Sequence, residues 1–440
     1  MAGMFWKRSG GVKVPHRKLS EARAIEQAPI PSQVTIPMGQ HLGAPAKPLV
    51  KKGDEVKAGQ LIAEPGGFIS ANIHSTISGK VKNIITMMNV VTSRPMEAII
   101  IESDGEDQHV TMDPMPNWRE QTNETILARI KDAGIVGMGG ATFPTHVKLS
   151  PPPGKSIDTI ILNGCECEPY ITSDHRTMLE HGKAIVDGLQ IMMKLLDCDN
   201  VHIAIEKNKP DAISKMKELV DKAGMKTVHI TEMPTVYPMG AEKTLVKNLL
   251  DREVPMGGLP LDVGVVVQNI STVKAIHDAV LEGRALIGRV LTVTGSVNEP
   301  RNLMVRFGTS TEELVQHCGG IVGDADEVIF GGPMMGISQY SLEAPVIKGT
   351  NCILVKKADD SQERDCFRCA SCINACPMGL MPTMYVQLVK KKRYEECADL
   401  YHVDNCVECG SCTFSCPAKI PLVQYIKVAK AELRKMRAKK

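Results

Sequence analysis

Cys366-Phe-Arg-Cys369-Ala-Ser-Cys372-Ile-Asn-Ala-Cys376-Pro377 is repeated downstream as Cys406-Val-Glu-Cys409-Gly-Ser-Cys412-Thr-Phe-Ser-Cys416-Pro417. Both copies read C-x2-C-x2-C-x3-C-P, the run that holds a [4Fe–4S] cluster, with the fourth Cys of each copy serving the other cluster. Cys366, Cys369, Cys372 and Cys416 are thereby assigned to one cluster, and Cys406, Cys409, Cys412 and Cys376 to the other. Three close cysteines wrap one corner of the chain around a cube, and the proline ends the segment so that the fourth reaches across. Zinc knuckles usually show two separated C-x2-C pairs, not four cysteines in a row. Two such clusters pass single electrons, so the rest of the chain should say where the electrons come from.

Around the repeat the chain reads as helical. One helix is expected between the motifs, over Pro382–Glu396. A basic helix follows over Pro421–Lys440, with Lys427, Lys430, Arg434, Lys435, Arg437, Lys439 and Lys440. Such a helix reads as membrane-surface, partner-binding or a solubilising tail. Ala344–Lys357 reads as a link into the cysteine region. Upstream, from about Leu259, the chain is strand-rich. Strands are expected at Arg289–Gly295, Leu303–Phe307 and Glu327–Phe330, with a helix over Thr311–His317 opened by the capping box Ser310-x-x-Glu313. Gly331-Gly-Pro333 ends this small β-grasp unit.

Between Asn117 and 258 helices and strands alternate. Asn123–Ala133 reads as a helix closed by Gly134 at C′. Strands are expected at Thr159–Leu162, Val201–Ile205 and Thr227–Thr231, with helices near His175–Leu196 and over Lys209–Ala223. That alternation implies a parallel sheet with helices on its faces, and ligands bind at the carboxyl ends of such strands. Three stretches are candidates for a site. They are Gly134-Ile-Val-Gly137-Met-Gly139-Gly140-Ala-Thr-Phe143-Pro144-Thr-His-Val-Lys148, then Asn163-Gly-Cys-Glu166-Cys-Glu168-Pro169, then Tyr237-Pro-Met-Gly240-Ala-Glu242. Glycines at this density let the backbone aim N–H groups at phosphate. The run is not G-x-G-x-x-G after a strand, so the ordinary dinucleotide fingerprint does not apply.

Residues 26–105 read as all-β, with Gly and Pro breaking short apolar runs. They resemble the barrel-sandwich hybrid of lipoyl and biotin carriers, but the hairpin tip Glu64-Pro65-Gly66-Gly67 has no Lys to modify. A packing or docking role is expected there, with no attached cofactor. Residues 1–25 read as a basic arm, solvated or set against a partner or anionic lipid.

Composition narrows the function classes. The net charge of +2 and an aromatic fraction of 4% give no case for nucleic acid. The six cysteines outside the repeat show no disulfide framework. No export signal and no apolar run of spanning length is evident, so a reducing cytoplasm is expected.

The three candidate stretches, in this order and followed by Val267-Gln-Asn269-Ile-Ser-Thr272, resemble the flavin- and NADH-binding 51-kDa-type subunit of respiratory complex I. With the amino-terminal β-module and the twin cysteine motifs added, the whole chain resembles the C subunit of the Rnf ion-translocating oxidoreductases. The resemblance implies a multidomain α/β protein. Its parts are an arm (1–25), a barrel-sandwich hybrid (26–105), an FMN/NADH-binding α/β domain (117–258), a β-grasp domain of the soluble-ligand-binding type (259–345) and a helical two-[4Fe–4S] domain with a basic tail (346–440). It implies that Gly137, Gly139, Gly140 and Lys148 hold the FMN phosphate and ribityl chain. Asn163, Glu166, Tyr237 and Gly240 would line the flavin, and Asn269 and Thr272 would close its phosphate side. Phe143 would stack the dinucleotide, with Glu168 and Glu242 near its ribose and amide. Cys165, Met239 and Ala241 depart from the complex I pattern and make the pocket less acidic.

Electrons would then pass between NAD(H), FMN and two [4Fe–4S] clusters, in a protein without a membrane span that sits on the cytoplasmic face of the membrane. Its partners would be the other subunits of an Rnf-type complex and, indirectly, ferredoxin. An NADH-dependent cobalamin reductase and a non-catalytic iron–sulfur relay remain open as alternatives.

Overall fold

A computed structural model describes residues 10–438. Lys439, Lys440 and the first nine residues of the expected arm lie outside them. The first strand, β1 (Ile25–Gln27), belongs to a sheet built much later in the chain. The barrel-sandwich module follows, with β2 (Gln33–Pro37), β3 (Lys47–Pro48), β4 (Glu55–Val56), β5 (Leu61–Glu64), β6 (Ile73–His74), β7 (Gly79–Met88) and β8 (Pro95–Ser103). They form two small sheets, β2-β8-β7-β4 and β3-β5-β6, closed over an aliphatic core that includes Ile36, Ile62, Ile73, Ile99 and Ile101. The module is packed onto the body. Thr76 Oγ1 donates to Phe307 O at 2.7 Å, and the buried Lys348 Nζ donates to Asn72 O at 2.8 Å and Gly134 O at 2.7 Å.

The α/β domain opens with α1 (Asn123–Asp132), capped by Thr122 and ended by Gly134 at φ +67°. After α2 (Thr145–Lys148) come β9 (Thr159–Gly164), α3 (Ser173–Glu180), α4 (Gly182–Leu196), β10 (Val201–Glu206), α5 (Pro210–Lys222), β11 (Val228–Met233), α6 (Glu242–Leu250), β12 (Val265–Asn269) and α7 (Ile270–Leu281). The single helix expected near His175–Leu196 is two helices that meet at His181. The sheet is fully parallel in the order β11-β10-β9-β12, so Val265–Leu281 completes this domain and is not part of the β-grasp region, which was expected to begin at 259. Both faces are covered. Ile160, Leu162, Ile203 and Ile205 pack with α4, α5 and α7, while Ile161, Ala204, Val265 and Val267 pack with Leu245 and Val246 of α6. Each such aliphatic side chain contributes about 1.5–3 kcal/mol when fully buried. The order reverses about β9, with β10 on one flank and β12 on the other. At such reversals the loops leave a crevice outside the carboxyl ends of the strands.

The β-grasp region contains β13 (Gly288–Gly295), β14 (Arg301–Arg306), α8 (Thr311–His317), β15 (Glu327–Phe330), β16 (Ile337–Ser338) and β17 (Cys352–Lys356). Its sheet runs β1-β14-β13-β17-β15-β16. The segment 344–357 is therefore not a mere link, because it supplies a central strand that pairs with β13 on one side and β15 on the other. The carboxy-terminal region is helical: α9 (Ser371–Asn374), α10 (Pro382–Lys390), α11 (Tyr394–Asp399), α12 (Ser411–Phe414) and α13 (Leu422–Arg437). The helix expected over Pro382–Glu396 breaks at 391–393, where Lys392 has φ +56°. Tyr385, Val386, Val389, Ile426, Ala429 and Leu433 join the cysteines in a core of their own. Among the described residues no helix is long and apolar enough to cross a membrane.

Candidate functional site

The carboxyl ends of β9 and β12 lie side by side, with Asn163 opposite Asn269. Asn269 caps α7, where its Oδ1 accepts from Ser271 N at 2.9 Å and Thr272 N at 3.3 Å. The glycine loop lies directly on this cap. Met138 N donates to Thr272 Oγ1 at 2.9 Å, and Gly137 N donates to Phe143 O at 2.9 Å. A Cβ on Gly139 would stand 2.8 Å from the Asn269 side chain, so the loop approaches this closely only as glycine. Gly139 and Gly140 are exposed, with open space over Gly140. Lys148, ending α2, meets Glu242, opening α6, at 2.7 Å. Asn163 Nδ2 donates to Gly240 O at 2.8 Å, and its Oδ1 accepts from Cys165 N at 3.1 Å. Phe143 is half-buried at the end of the loop. Gly137, Gly139, Gly140, Phe143, Lys148, Asn163, Gly240, Glu242, Asn269 and Thr272 thus converge on one crevice.

Glu166, Glu168 and Tyr237 are engaged with other partners. The buried Glu166 carboxylate caps α3, accepting from Asp174 N at 2.8 Å, where the helix dipole favours an anion. Glu168 accepts from Met334 N at 3.1 Å and Met335 N at 2.8 Å, and burial pushes its carboxyl up to about 7. Tyr237 is buried, and its hydroxyl donates to Cys409 O at 2.5 Å. Glu168 and Tyr237 face the junction with the cysteine region, whereas Glu166 stays within the α/β domain.

Two cations beside the site, the buried Arg289 and the half-buried Lys18, escaped the sequence reading. Arg289 is fully enclosed beneath the glycine loop. Its Nη1 donates to Met138 O at 3.0 Å and Lys348 O at 2.8 Å, while its Nη2 has no partner among the described residues. Burial lowers it to about 10, with Asp174 and Glu166 opposing the shift. Its only sequence signal was a charge at an inward position of an apolar strand. Lys18 donates to Glu166 O at 2.8 Å, Glu168 O at 2.8 Å and Ile171 O at 2.6 Å, although burial lowers its pKa. A lysine holding three carbonyls is no part of a solvated arm. Nearby, Val12 and Tyr237 exchange backbone bonds at 2.8 and 2.9 Å, and Gly11 N donates to Ala375 O at 2.9 Å. Residues 10–18 therefore run between the α/β domain and the cysteine region.

Cys376, Cys406, Cys409 and Cys412 line one cavity, together with Tyr385, Leu380 and Ile426. Burial pushes Cys406 up to about 11 and Cys412 up to about 12. Cys372 neighbours Cys416 and Cys366 instead. Cys369 is exposed and is lowered by the Ser371 hydroxyl, 3.3 Å away.

These residues suit the groups that the sequence implies. Four thiols around one cavity suit an iron–sulfur cluster. The crevice suits a phosphate-bearing flavin, because its glycines are bare, Lys148 stands at its mouth, and a buried guanidinium with a spare donor lies behind it. A doubly wound flavin domain that abuts a two-cluster domain defines a flavin- and iron–sulfur-dependent electron-transfer protein.

The comparisons agree with that class. The Nuo51 FMN-binding domain family matches residues 130–278, and the 4Fe-4S dicluster domain family matches residues 359–417. The RnfC barrel sandwich hybrid domain matches residues 6–106, and the SLBB domain matches residues 290–338. The chain is 49% identical over 392 residues to the C subunit of the proton-translocating ferredoxin:NAD(+) oxidoreductase complex of Clostridium ljungdahlii, covering 88% of this chain and 85% of that one. It is 39% identical over 394 residues to the Na(+)-translocating counterpart of Acetobacterium woodii, covering 88% of each. An NAD+-reducing [NiFe]-hydrogenase in the H2-reduced state shares the fold, with a TM-score of 0.50 at 17% identity over 74% of this chain and 70% of that one. The chain belongs to the RnfC family, the C subunits of the Rnf complexes, and its cofactors are FMN and two [4Fe–4S] clusters.

Proposed function

We propose that the chain exchanges electrons between NAD(H) and an ion-translocating ferredoxin:NAD+ oxidoreductase, as a peripheral subunit on the cytoplasmic face of the membrane. Bound FMN supplies the conversion between a hydride's two electrons and the single electrons that the clusters accept. The protein's own task is placement. The bare backbone of Gly137, Gly139 and Gly140, with Lys148, holds the phosphate end. Asn269 and Thr272 fix that loop from beneath, and Asn163 sets the Gly240 turn against the ring. Phe143 offers an aromatic face to the dinucleotide at the mouth of the crevice, and Glu242 orients Lys148. Hydride transfer requires no side-chain acid or base here, so the site is built for orientation and for excluding water.

Cys376, Cys406, Cys409 and Cys412 hold the inner cluster, and Cys366, Cys369, Cys372 and Cys416 hold the outer one. The observation that carries this order is the Tyr237 hydroxyl on the Cys409 carbonyl, which ties the flavin domain to the inner cage. Anaerobically purified protein should contain about one flavin and eight iron atoms per chain. NADH should bleach the flavin and bring up both cluster signals in electron paramagnetic resonance. Protein that is full in iron but retains no flavin would overturn this reading in favour of a cluster relay.

A further inference from the structure

The outer cage has an exposed face that the electron-transfer reading uses only as an end point. Of the eight cluster cysteines, Cys369 alone is exposed. Residues 361–370 are exposed throughout, save for the half-buried Cys366. Three large apolar side chains within two or three residues of this cage's cysteines or of Thr383 are exposed. Phe367 lies between two of its cysteines and is 64% exposed. Phe414 lies two residues before Cys416 and is 51% exposed. Met381 is 42% exposed and lies two residues before Thr383, whose hydroxyl is 3.7 Å from Cys366 Sγ. The equivalent of Phe367 in the second repeat is the half-buried Val407. Isolated exposed apolar residues are ordinary, but three next to the cysteines of one redox centre are the composition expected of an interaction site.

We propose that Phe367, Met381 and Phe414 form the docking surface for a protein domain that carries its own one-electron centre. The proposal rests on the assignment of the outer cluster made above. The inner cage is occupied on its open side by the body of the protein, so the second electron exchange must cross this face. The exchange across this face would be of one electron, lost by the cluster that Cys366, Cys369, Cys372 and Cys416 would hold and gained by the partner's centre, with no bond made or broken and no proton required. Phe and Met, with the neighbouring Arg368, are types enriched in protein interfaces. A lipid surface fits less well. Asp365 and Arg368 flank Cys366 with opposite signs. Three of the five cations of α13 are paired, Lys430 with Glu408 at 2.8 Å, Arg437 with Asp404 at 2.7 Å and Lys435 with Glu432 at 2.7 Å, which leaves Lys427 and Arg434 as the positive charge this helix could offer a lipid surface.

The test adds full-length, cofactor-loaded protein back to membrane vesicles that hold the rest of the complex but lack this subunit. Phe367→Asp and Phe414→Asp are compared with Phe68→Asp, which alters an aromatic that is 83% exposed on the barrel-sandwich module. The two cage variants should each lower the restored NADH-driven reduction of the membrane carriers by about tenfold or more. Reduction of their own flavin and clusters by NADH should stay unchanged, and Phe68→Asp should restore fully. Full restoration by the cage variants, or an equal loss with Phe68→Asp, would overturn the proposal. So would sedimentation of the unaltered protein, but not of Phe367→Asp, with protein-free anionic vesicles, because the rim would then bind lipid. Failure of NADH to reduce the clusters of the unaltered protein would instead overturn the functional reading beneath it.

Discussion

The two cysteine repeats share one backbone and face opposite environments. Left-handed residues recur at matched places, with Arg368 and Glu408 at φ +59° and +55°, and Ala370 and Gly410 at +62° and +80°. The side chains between the cysteines differ. Phe367, Arg368 and Ala370 of the first repeat are exposed, whereas Val407 and Glu408 are half-buried and Gly410 is buried. The Ala/Gly difference has a direct cause. A Cβ on Gly410 would stand 2.5 Å from Met334 O in the loop after β15, while Ala370 is open to solvent. Glu408 is likewise held by Lys430, which also donates to Cys406 O at 2.6 Å. The comparison teaches that an internal repeat can keep the chemistry of a cage while a few intervening residues decide which copy faces inward.

Exchanging those residues should affect the two repeats unequally. Gly410→Ala combines a left-handed backbone with a carbonyl clash and should cost about 2–3 kcal/mol. Thermal unfolding of the loaded protein would check it, with a lower midpoint and a broadened signal from the inner cluster. Ala370→Gly, at the matching place, should change stability by less than about 1 kcal/mol. Equal costs for the two would mean that the second repeat is not the one seated on the body. A smaller effect is expected for Lys430→Met, which removes the half-buried pair with Glu408 and one bond to a cluster-loop carbonyl. It should lower stability by about 1 kcal/mol and perturb the inner cluster's spectrum alone. A change in the outer cluster's spectrum would contradict the placement of α13.

Much of this was legible in the sequence because it is local. Cysteine spacing, glycine density and strand–helix alternation are each written within a few residues. The strands β9, β10 and β11 and the helices between them followed from these signals, whereas β12 and α7 did not, and the individual crevice residues were named from the family resemblance. What was not legible depends on distant partners. The run Cys352-Ile-Leu-Val looked like a link because a strand buried on both faces shows no alternation. The arm looked solvated because nothing near Lys18 in the sequence announces three carbonyls waiting for it. Glu166 and Tyr237 were expected to line the flavin, and their bonds to a helix end and to the inner cage come from tertiary contacts. The difference between the repeats was in the sequence throughout, at Ala370 and Gly410. It acquires meaning only once Met334 is placed beside one of them.

The proposed electron path has an order: crevice, inner cage, outer cage. Cys409→Ala and Cys369→Ala, each purified without air, test it by electron paramagnetic resonance after mixing with NADH. With Cys369→Ala, NADH should still bleach the flavin and reduce the inner cluster. With Cys409→Ala, NADH should bleach the flavin yet leave the outer cluster oxidised on the same timescale, although dithionite still reduces it. Rapid reduction of the outer cluster by NADH in Cys409→Ala protein would contradict the order.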